Sequence, residues 1–324
     1  MFKADSHNFG RQVQTIYLNG LKHIQKPRTV YWEYQLLDSS SPIRTAYREI
    51  LRSNALNVDE VLGHTPYVTE NSFDSGVCDF IAASAPFPSP VLAANMGKLL
   101  AFCWIHGITD LHAENVAFEA DRPRLLDIEV IFSSTRLPSE TLLIPSNLWS
   151  TLIDAFLDAS VFIAGKSLSL AKAWEGLAQD LSCTPVRILL RNSREYATAS
   201  DLIPAEAAQV SRGDVPYFFG FLGQKSIFYH STTAELDVVE LGSQETMLKK
   251  QAVSFCPPFE ILSKERLIAN IKLALLQLTK IALRESKRSK LDGARFHASQ
   301  SLTEIRFESK MFKLRTLIKE KGRS

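Results

Sequence analysis

His106-Gly-Ile-Thr-Asp-Leu-His-Ala-Glu-Asn-Val-Ala-Phe-Glu-Ala-Asp-Arg-Pro-Arg-Leu-Leu-Asp-Ile-Glu-Val-Ile-Phe132 decides the fold of this chain. Val-Ala-Phe-Glu and Arg-Leu-Leu flank a turn-like Ala120-Asp-Arg-Pro123, which predicts two short strands around a tight turn. Such a hairpin returns Asn115 and Asp127 to one end. Two carboxylates, Asp110 and Asp127, with the amide oxygen of Asn115 at a hairpin mouth suit Mg²⁺, which takes oxygen ligands and shares them with phosphates. Asp110 and Asn115 are five apart, the spacing of the catalytic-loop Asp and Asn in kinases, and Asp127 stands where kinases place a metal-holding Asp. In that reading Asp110 accepts the proton of a substrate hydroxyl, while His112 and Glu129 shape the site. Taken singly, each residue is more often a surface loop side chain, and only the constellation points to phosphoryl transfer.

Upstream, Val13, Thr15 and Tyr17 alternate with Gln12, Gln14 and Ile16, Asn19-Gly20 follows, and Leu21 to Lys26 returns. This is a hairpin with a type I′ turn signal, ended by Lys26-Pro-Arg28. Ser41-Pro42 starts a helix through Arg52, with Ile43, Ala46, Tyr47, Ile50 and Leu51 as its apolar face. Residues 54–90 read as mixed linking sequence, and Val91 to Ile105 as an apolar helix closed by Gly107.

Downstream, Leu148 to Ala164 and Leu168 to Leu181 read as two core helices. Val186 to Leu190 reads as a strand with Arg187 and Arg191 near its ends. Arg212-Gly-Asp-Val-Pro-Tyr-Phe218 reads as a turn before an aromatic strand, with Asp214 as a cap or arginine partner. Ile261 to Ile281 predicts a long amphipathic helix, and Arg306 to Lys321 a basic helix or solvated tail.

Composition narrows the class. A hydrophobic fraction of 45% and a charged fraction of 22% fit a soluble globular chain, and a net charge of +2 does not argue for nucleic acid. Four scattered cysteines, without a Cys-x-x-Cys pair, suggest neither zinc nor a disulfide framework, and read as reduced thiols of a cytoplasmic protein. The first residues are polar, unlike a signal peptide, and no apolar run is long enough to span a bilayer.

Asp-Leu-His-Ala-Glu-Asn115 followed by Leu-Leu-Asp-Ile-Glu-Val-Ile-Phe132 resembles the dehydratase domain of class II lanthipeptide synthetases, the LanM type with its DUF4135 domain. Asp5-x-His7-x-x-Gly10, Lys26-Pro-Arg28, the set Arg187, Arg191, Ser193 and Tyr196, and Gly213-Asp-Val-Pro-Tyr-Phe218 extend the resemblance over residues 4–285. Ser193 stands where the family usually carries Thr, and keeps the hydroxyl. The resemblance implies a two-lobed, lipid-kinase-like α+β fold. It implies a small, partly truncated N-terminal β lobe over 1–85, a mainly helical catalytic lobe over 86–285 and a basic tail over 286–324.

The implied activity is phosphorylation of Ser and Thr in a precursor peptide by ATP and Mg²⁺, then elimination of phosphate to leave dehydro residues. Lys26 would meet the ATP phosphates, Asn115 and Asp127 would hold the metal, and Asp5, His7, Arg187 and Ser193 would serve elimination. Set against the resemblance, the family's region ahead of Asp5 and its zinc-bearing cyclase are expected to be missing. The expected partners are therefore a precursor peptide with its leader and a separate cyclase or complementing chain. The alternative is a kinase-fold module that binds peptide and has lost activity.

Overall fold

The computed structural model describes residues 6–53, 56–63, 67–71, 75–82, 84, 89–133, 135–144, 150–177, 185–188, 203–221, 226–239, 263–289, 297–298, 304–307 and 310–313. Over these the protein is a mixed α+β structure of several helices and small antiparallel sheets.

Strand β1 (Gln14–Leu18) turns through Asn19 and Gly20, both at positive φ, into β2 (Leu21–Lys26), so the expected hairpin forms. Two short helices follow, α1 (Tyr31–Leu37) and α2 (Pro42–Ile50). The Ser41 hydroxyl accepts from the Arg44 amide and starts α2 as predicted. The linking stretch carries more structure than its sequence suggests. After α3 (Val58–Val61), β3 (Tyr67–Asn71) and β4 (Gly76–Asp79) join β2 in a sheet ordered β1-β2-β4-β3. The pairing of Lys26 with Gly76 and of Ile24 with Cys78 fixes the end of β2 against the core.

Helix α4 (Pro90–Ile105) is apolar on nearly every side, as a helix at the centre of a core must be. Its chain then runs through Gly107 into β5 (Val116–Glu119) and β6 (Arg122–Leu125). The turn is tighter than expected: Pro123 lies within β6, paired with Phe118 in a two-stranded ladder that leaves one edge open for it. A 3-10 turn over Pro138–Thr141 precedes α5 (Ser150–Glu175), which packs along α4.

Here the structure corrects the sequence. One continuous helix replaces the expected pair, because Gly165 sits inside α5 in open space and continues the helix. Tyr47, Phe102, Phe156 and Trp174 lie in the same buried cluster.

Strands β7 (Pro185–Ile188), β8 (Phe218–Phe221), β9 (Phe228–His230) and β10 (Leu236–Val238) build a second sheet, ordered β10-β9-β8-β7, with helix α6 (Pro204–Ser211) between β7 and β8 in sequence. Helix α7 (Lys264–Ser289) packs back on α5 through Leu267, Ile271, Ala274, Leu275 and Leu278. The tail departs from expectation. Instead of a helix from Arg306, strands β11 (His297–Ala298), β12 (Glu304–Phe307) and β13 (Lys310–Lys313) form a small antiparallel sheet. Alternation of Ile305 and Phe307 with polar residues suits a strand better than a helix.

Candidate active site

The loop after α4 is held on both sides. His106 caps α4 while its carbonyl accepts from the Phe132 amide, and the Gly107 carbonyl accepts from the Ser133 amide and hydroxyl. A Cβ at Gly107 would lie 2.3 Å from the Ser133 carbonyl oxygen, and its φ is +61°, so only glycine lets the two segments approach this closely. Thr109 bridges to Val130, and Leu111 donates to Thr141. These ties set Asp110 at φ +66°, a conformation that non-glycine residues enter rarely and keep only when neighbours enforce it.

Asn115 closes the loop. Its Nδ2 donates to the Asp110 carbonyl at 2.7 Å and lies 3.3 Å from His112 Nε2, which leaves Oδ1 as its acceptor atom. The Leu126 amide donates to the Asn115 carbonyl at 2.9 Å, so the hairpin does return Asp127 to the end where Asn115 stands. Asp110, Asn115, Asp127 and Glu129 are half-buried and His112 is exposed.

Lys26 reaches this mouth from the end of β2. Its ammonium donates to the Leu126 carbonyl at 2.6 Å and to Glu33 Oε1 at 2.9 Å, and lies 3.3 Å from Asp127 Oδ1. Glu33, on α1, escapes the sequence reading, as does the role of Arg28. The Arg28 guanidinium touches Glu33 Oε1 at 2.5 Å, Glu129 Oε1 at 2.9 Å and Asp127 Oδ1. The signal for Glu33 is present in the sequence: Leu36 and Leu37 lie three and four residues on, so this acid sits on the buried face of its helix.

Burial opposes the charge of Glu33, yet the nearby Arg28 and Lys26 outweigh it and hold its carboxyl below the usual range. Burial also pushes the Lys26 amine below its ordinary value, against the pull of Glu33. Three carboxylates, Glu33, Asp127 and Glu129, face two cations, Lys26 and Arg28. The cluster thus carries one formal negative charge in excess. Among the described residues the contacts to Asp127 fall on Oδ1, from Lys26 and Arg28, and none falls on Oδ2. That oxygen and Asn115 Oδ1 are hard donors of the kind Mg²⁺ accepts, and the excess charge favours a cation.

A second cluster forms around residues 6–10. Phe9 and Gly10 donate backbone N–H to the two oxygens of Asp214 at 2.8 and 2.9 Å, so Asp214 caps a turn, as its sequence suggests. His7 Nδ1 lies 2.9 Å from the Val215 carbonyl and its ring packs on Tyr217. A carbonyl only accepts, so in neutral His7 the proton sits on Nδ1 and the lone pair on Nε2. Arg187 lies on β7, paired with Phe219 of β8, and the described residues include its backbone alone. Asp5 and Ser193 lie outside the described residues.

A family model described as a domain of unknown function (DUF4135) matches residues 1–165, which include His7, Lys26, Glu33, Asp110 and Asp127. The chain belongs to the DUF4135 family. DUF4135 is the domain found in LanM-type lanthipeptide synthetases, where it is associated with the dehydratase region. Both the hairpin site and the turn at residues 6–10 fall within the matched span, whereas Arg187 and Asp214 follow it. No curated protein matches the chain. No helix among the described residues is long and apolar enough to cross a membrane.

Proposed function

We propose that this DUF4135 chain is a lanthipeptide-type dehydratase, which phosphorylates Ser and Thr of a precursor peptide with ATP and Mg²⁺ and then eliminates phosphate. The observation that carries the reading is the meeting of Lys26, Glu33 and Asp127 at the hairpin mouth that also holds Asn115. A strand lysine paired with a helix glutamate, beside a metal-holding aspartate, is what kinases use to seat the phosphates of ATP. The α+β architecture, with Lys26 on a small sheet beside a helical core, suits a two-lobed kinase-like fold.

Asn115 and Asp127 would hold Mg²⁺, whose charge neutralises phosphate oxygens when it is bound. Lys26 would meet the same phosphates: its ammonium donates to Glu33 and the Leu126 carbonyl and lies 3.3 Å from Asp127 Oδ1, on the side of the proposed metal. Asp110 takes the proton of the Ser or Thr hydroxyl as that oxygen attacks the γ-phosphorus and ADP leaves. Preorganisation of Asp110 by the tie from Asn115 limits what must rearrange at that moment.

Elimination needs a base for the α-proton and donors for the departing phosphate, while the carbon–carbon double bond forms and the Cβ–O bond breaks. His7, its Nδ1 held by the Val215 carbonyl, would serve the first task, with Asp5 two residues before it in sequence. Arg187 offers a fork that matches phosphate oxygens, and Ser193 a hydroxyl.

Mass spectrometry of a co-encoded precursor peptide, incubated with the protein, ATP and Mg²⁺, tests the reading. Dehydrated peptide is expected from the parent, and phosphopeptide should accumulate with Arg187→Ala. Normal dehydration by Arg187→Ala would remove Arg187 from the mechanism, and unmodified peptide from the parent would remove the dehydratase reading.

A further inference from the structure

Arg28 has no part in the mechanism above, yet it touches every carboxylate of the cluster. Nε donates to Glu129 Oε1 at 2.9 Å. Nη1 donates to the Thr29 carbonyl at 2.6 Å and lies 3.3 Å from Glu33 Oε2. Nη2 donates to Glu33 Oε1 at 2.5 Å and also to Asp127 Oδ1. All five N–H groups of the guanidinium therefore have acceptors, and its side chain is only 6% exposed. The Thr29 carbonyl and Glu33 fix one side of the fork, so the other side is a rigid template for Asp127 and Glu129.

We propose that Arg28 is the positioning residue of the metal site. By taking Oδ1 of Asp127 it fixes the carboxylate's rotation and turns Oδ2 toward the cation position. The proposal rests on the reading of Asp127 as a metal-holding carboxylate in a nucleotide site. A planar, five-donor fork is needed because three acids at different angles must be held at once. A lysine at this position keeps the charge and cannot keep the angles. The same geometry explains why the excess negative charge lies on the open side: both cations engage Oδ1.

The test is a Mg²⁺ titration of the full chain with a non-hydrolysable ATP analogue at fixed concentration, read as the shift in melting temperature. Melting without ligand is recorded in parallel, since a merely structural arginine would lower that value and leave the Mg²⁺ midpoint alone. We expect Arg28→Lys to raise the half-saturating Mg²⁺ concentration about tenfold, the usual cost of losing a group that orients a metal ligand. In an Asp127→Asn background the same change should add no further shift, because Arg28 acts through Asp127.

A parent-like midpoint in folded Arg28→Lys overturns the proposal, as does an undiminished shift in the Asp127→Asn background. Should Arg28→Lys not fold, Glu129→Gln loosens the same fork while keeping both cations. Its midpoint must then rise, and a parent-like value overturns the proposal. A parent with no Mg²⁺-dependent stabilisation by the analogue overturns the metal reading beneath it, which is a separate and recognisable outcome.

Discussion

The hairpin mouth and the turn at residues 6–10 solve one problem in opposite ways. Each brings together groups far apart in the chain: Lys26 with Asp127, and Phe9 with Asp214. At the hairpin mouth the contacts are between full charges, buried, with one negative charge left over. At the turn a single carboxylate is satisfied by two backbone amides, and burial's upward push on Asp214 is outweighed by the Gly10 and Phe9 N–H groups, so its carboxyl lies below the usual range. The first arrangement keeps an excess of negative charge, whereas Asp214 is engaged by the Phe9 and Gly10 amides and by Arg212. The proposed metal site draws on that excess.

If that contrast is right, removing charge at the two places has unequal cost. Glu33→Gln removes the most deeply buried carboxylate of the cluster, the one that both Arg28 and Lys26 engage. Loss of one partner from a buried pair typically costs about 3–5 kcal/mol, and chemical denaturation followed by tryptophan fluorescence should show a loss in that range. A loss below about 1 kcal/mol would mean the cluster is more hydrated than its burial implies.

The next effect is smaller and comes from a neutral hydrogen-bonded chain in the buried helical core. Trp174 donates to the Tyr47 hydroxyl at 2.6 Å, Tyr47 pairs with His106 Nε2 at 2.8 Å, and His106 Nδ1 faces the Phe102 carbonyl at 2.8 Å. All partners are satisfied only when His106 is neutral, and burial lowers its pKa to about 4. The unfolded chain protonates near pH 6.5, so stability is unaffected above that pH and falls as pH drops from there toward about 4. The fall should approach about 3 kcal/mol, and His106→Gln should flatten it over the same interval. An unchanged pH profile in His106→Gln would assign the acid sensitivity elsewhere.

The smallest effect belongs to the turn. Asp214→Ala leaves two amides without their acceptor, at about 1–2 kcal/mol, and hydrogen exchange at Phe9 and Gly10 should quicken accordingly. The Mg²⁺-dependent melting shift with the ATP analogue should not move, and a change there would couple the two clusters.

Much of this was legible in the sequence, for local reasons. Asn19-Gly20, Ser41-Pro42 and the 116–125 hairpin carry their own turn and cap chemistry, and all three form as read. Asn115 and Asp127 follow from that hairpin alone. Arg28 was not legible as a site residue, because its partners Asp127 and Glu129 lie about a hundred residues on, and Glu33 shows in the sequence only as an acid on the buried face of its helix. Helix α1 has seven residues and β4 has four, too short for a periodic signal, and β4 gains its identity from pairing with β2. Gly165 reads as a helix end by type, yet α5 continues through it because packing along α4 outweighs the cost of one glycine. The strands at 304–313 similarly come from pairing with each other, which a run of basic residues conceals.

One measurement bears directly on the proposed role of Asp127 as a metal ligand in phosphoryl transfer. Precursor peptide is incubated with ATP, Mg²⁺ and either the parent or Asp127→Asn, and phosphopeptide and dehydrated peptide are counted together by mass spectrometry over time. An amide keeps the shape of the side chain but neutralises less of the metal's charge. Loss of both products by at least about 100-fold is expected, the scale on which a single lost electrostatic contact to a transition state is felt. Modification by Asp127→Asn at the parent rate would contradict that role.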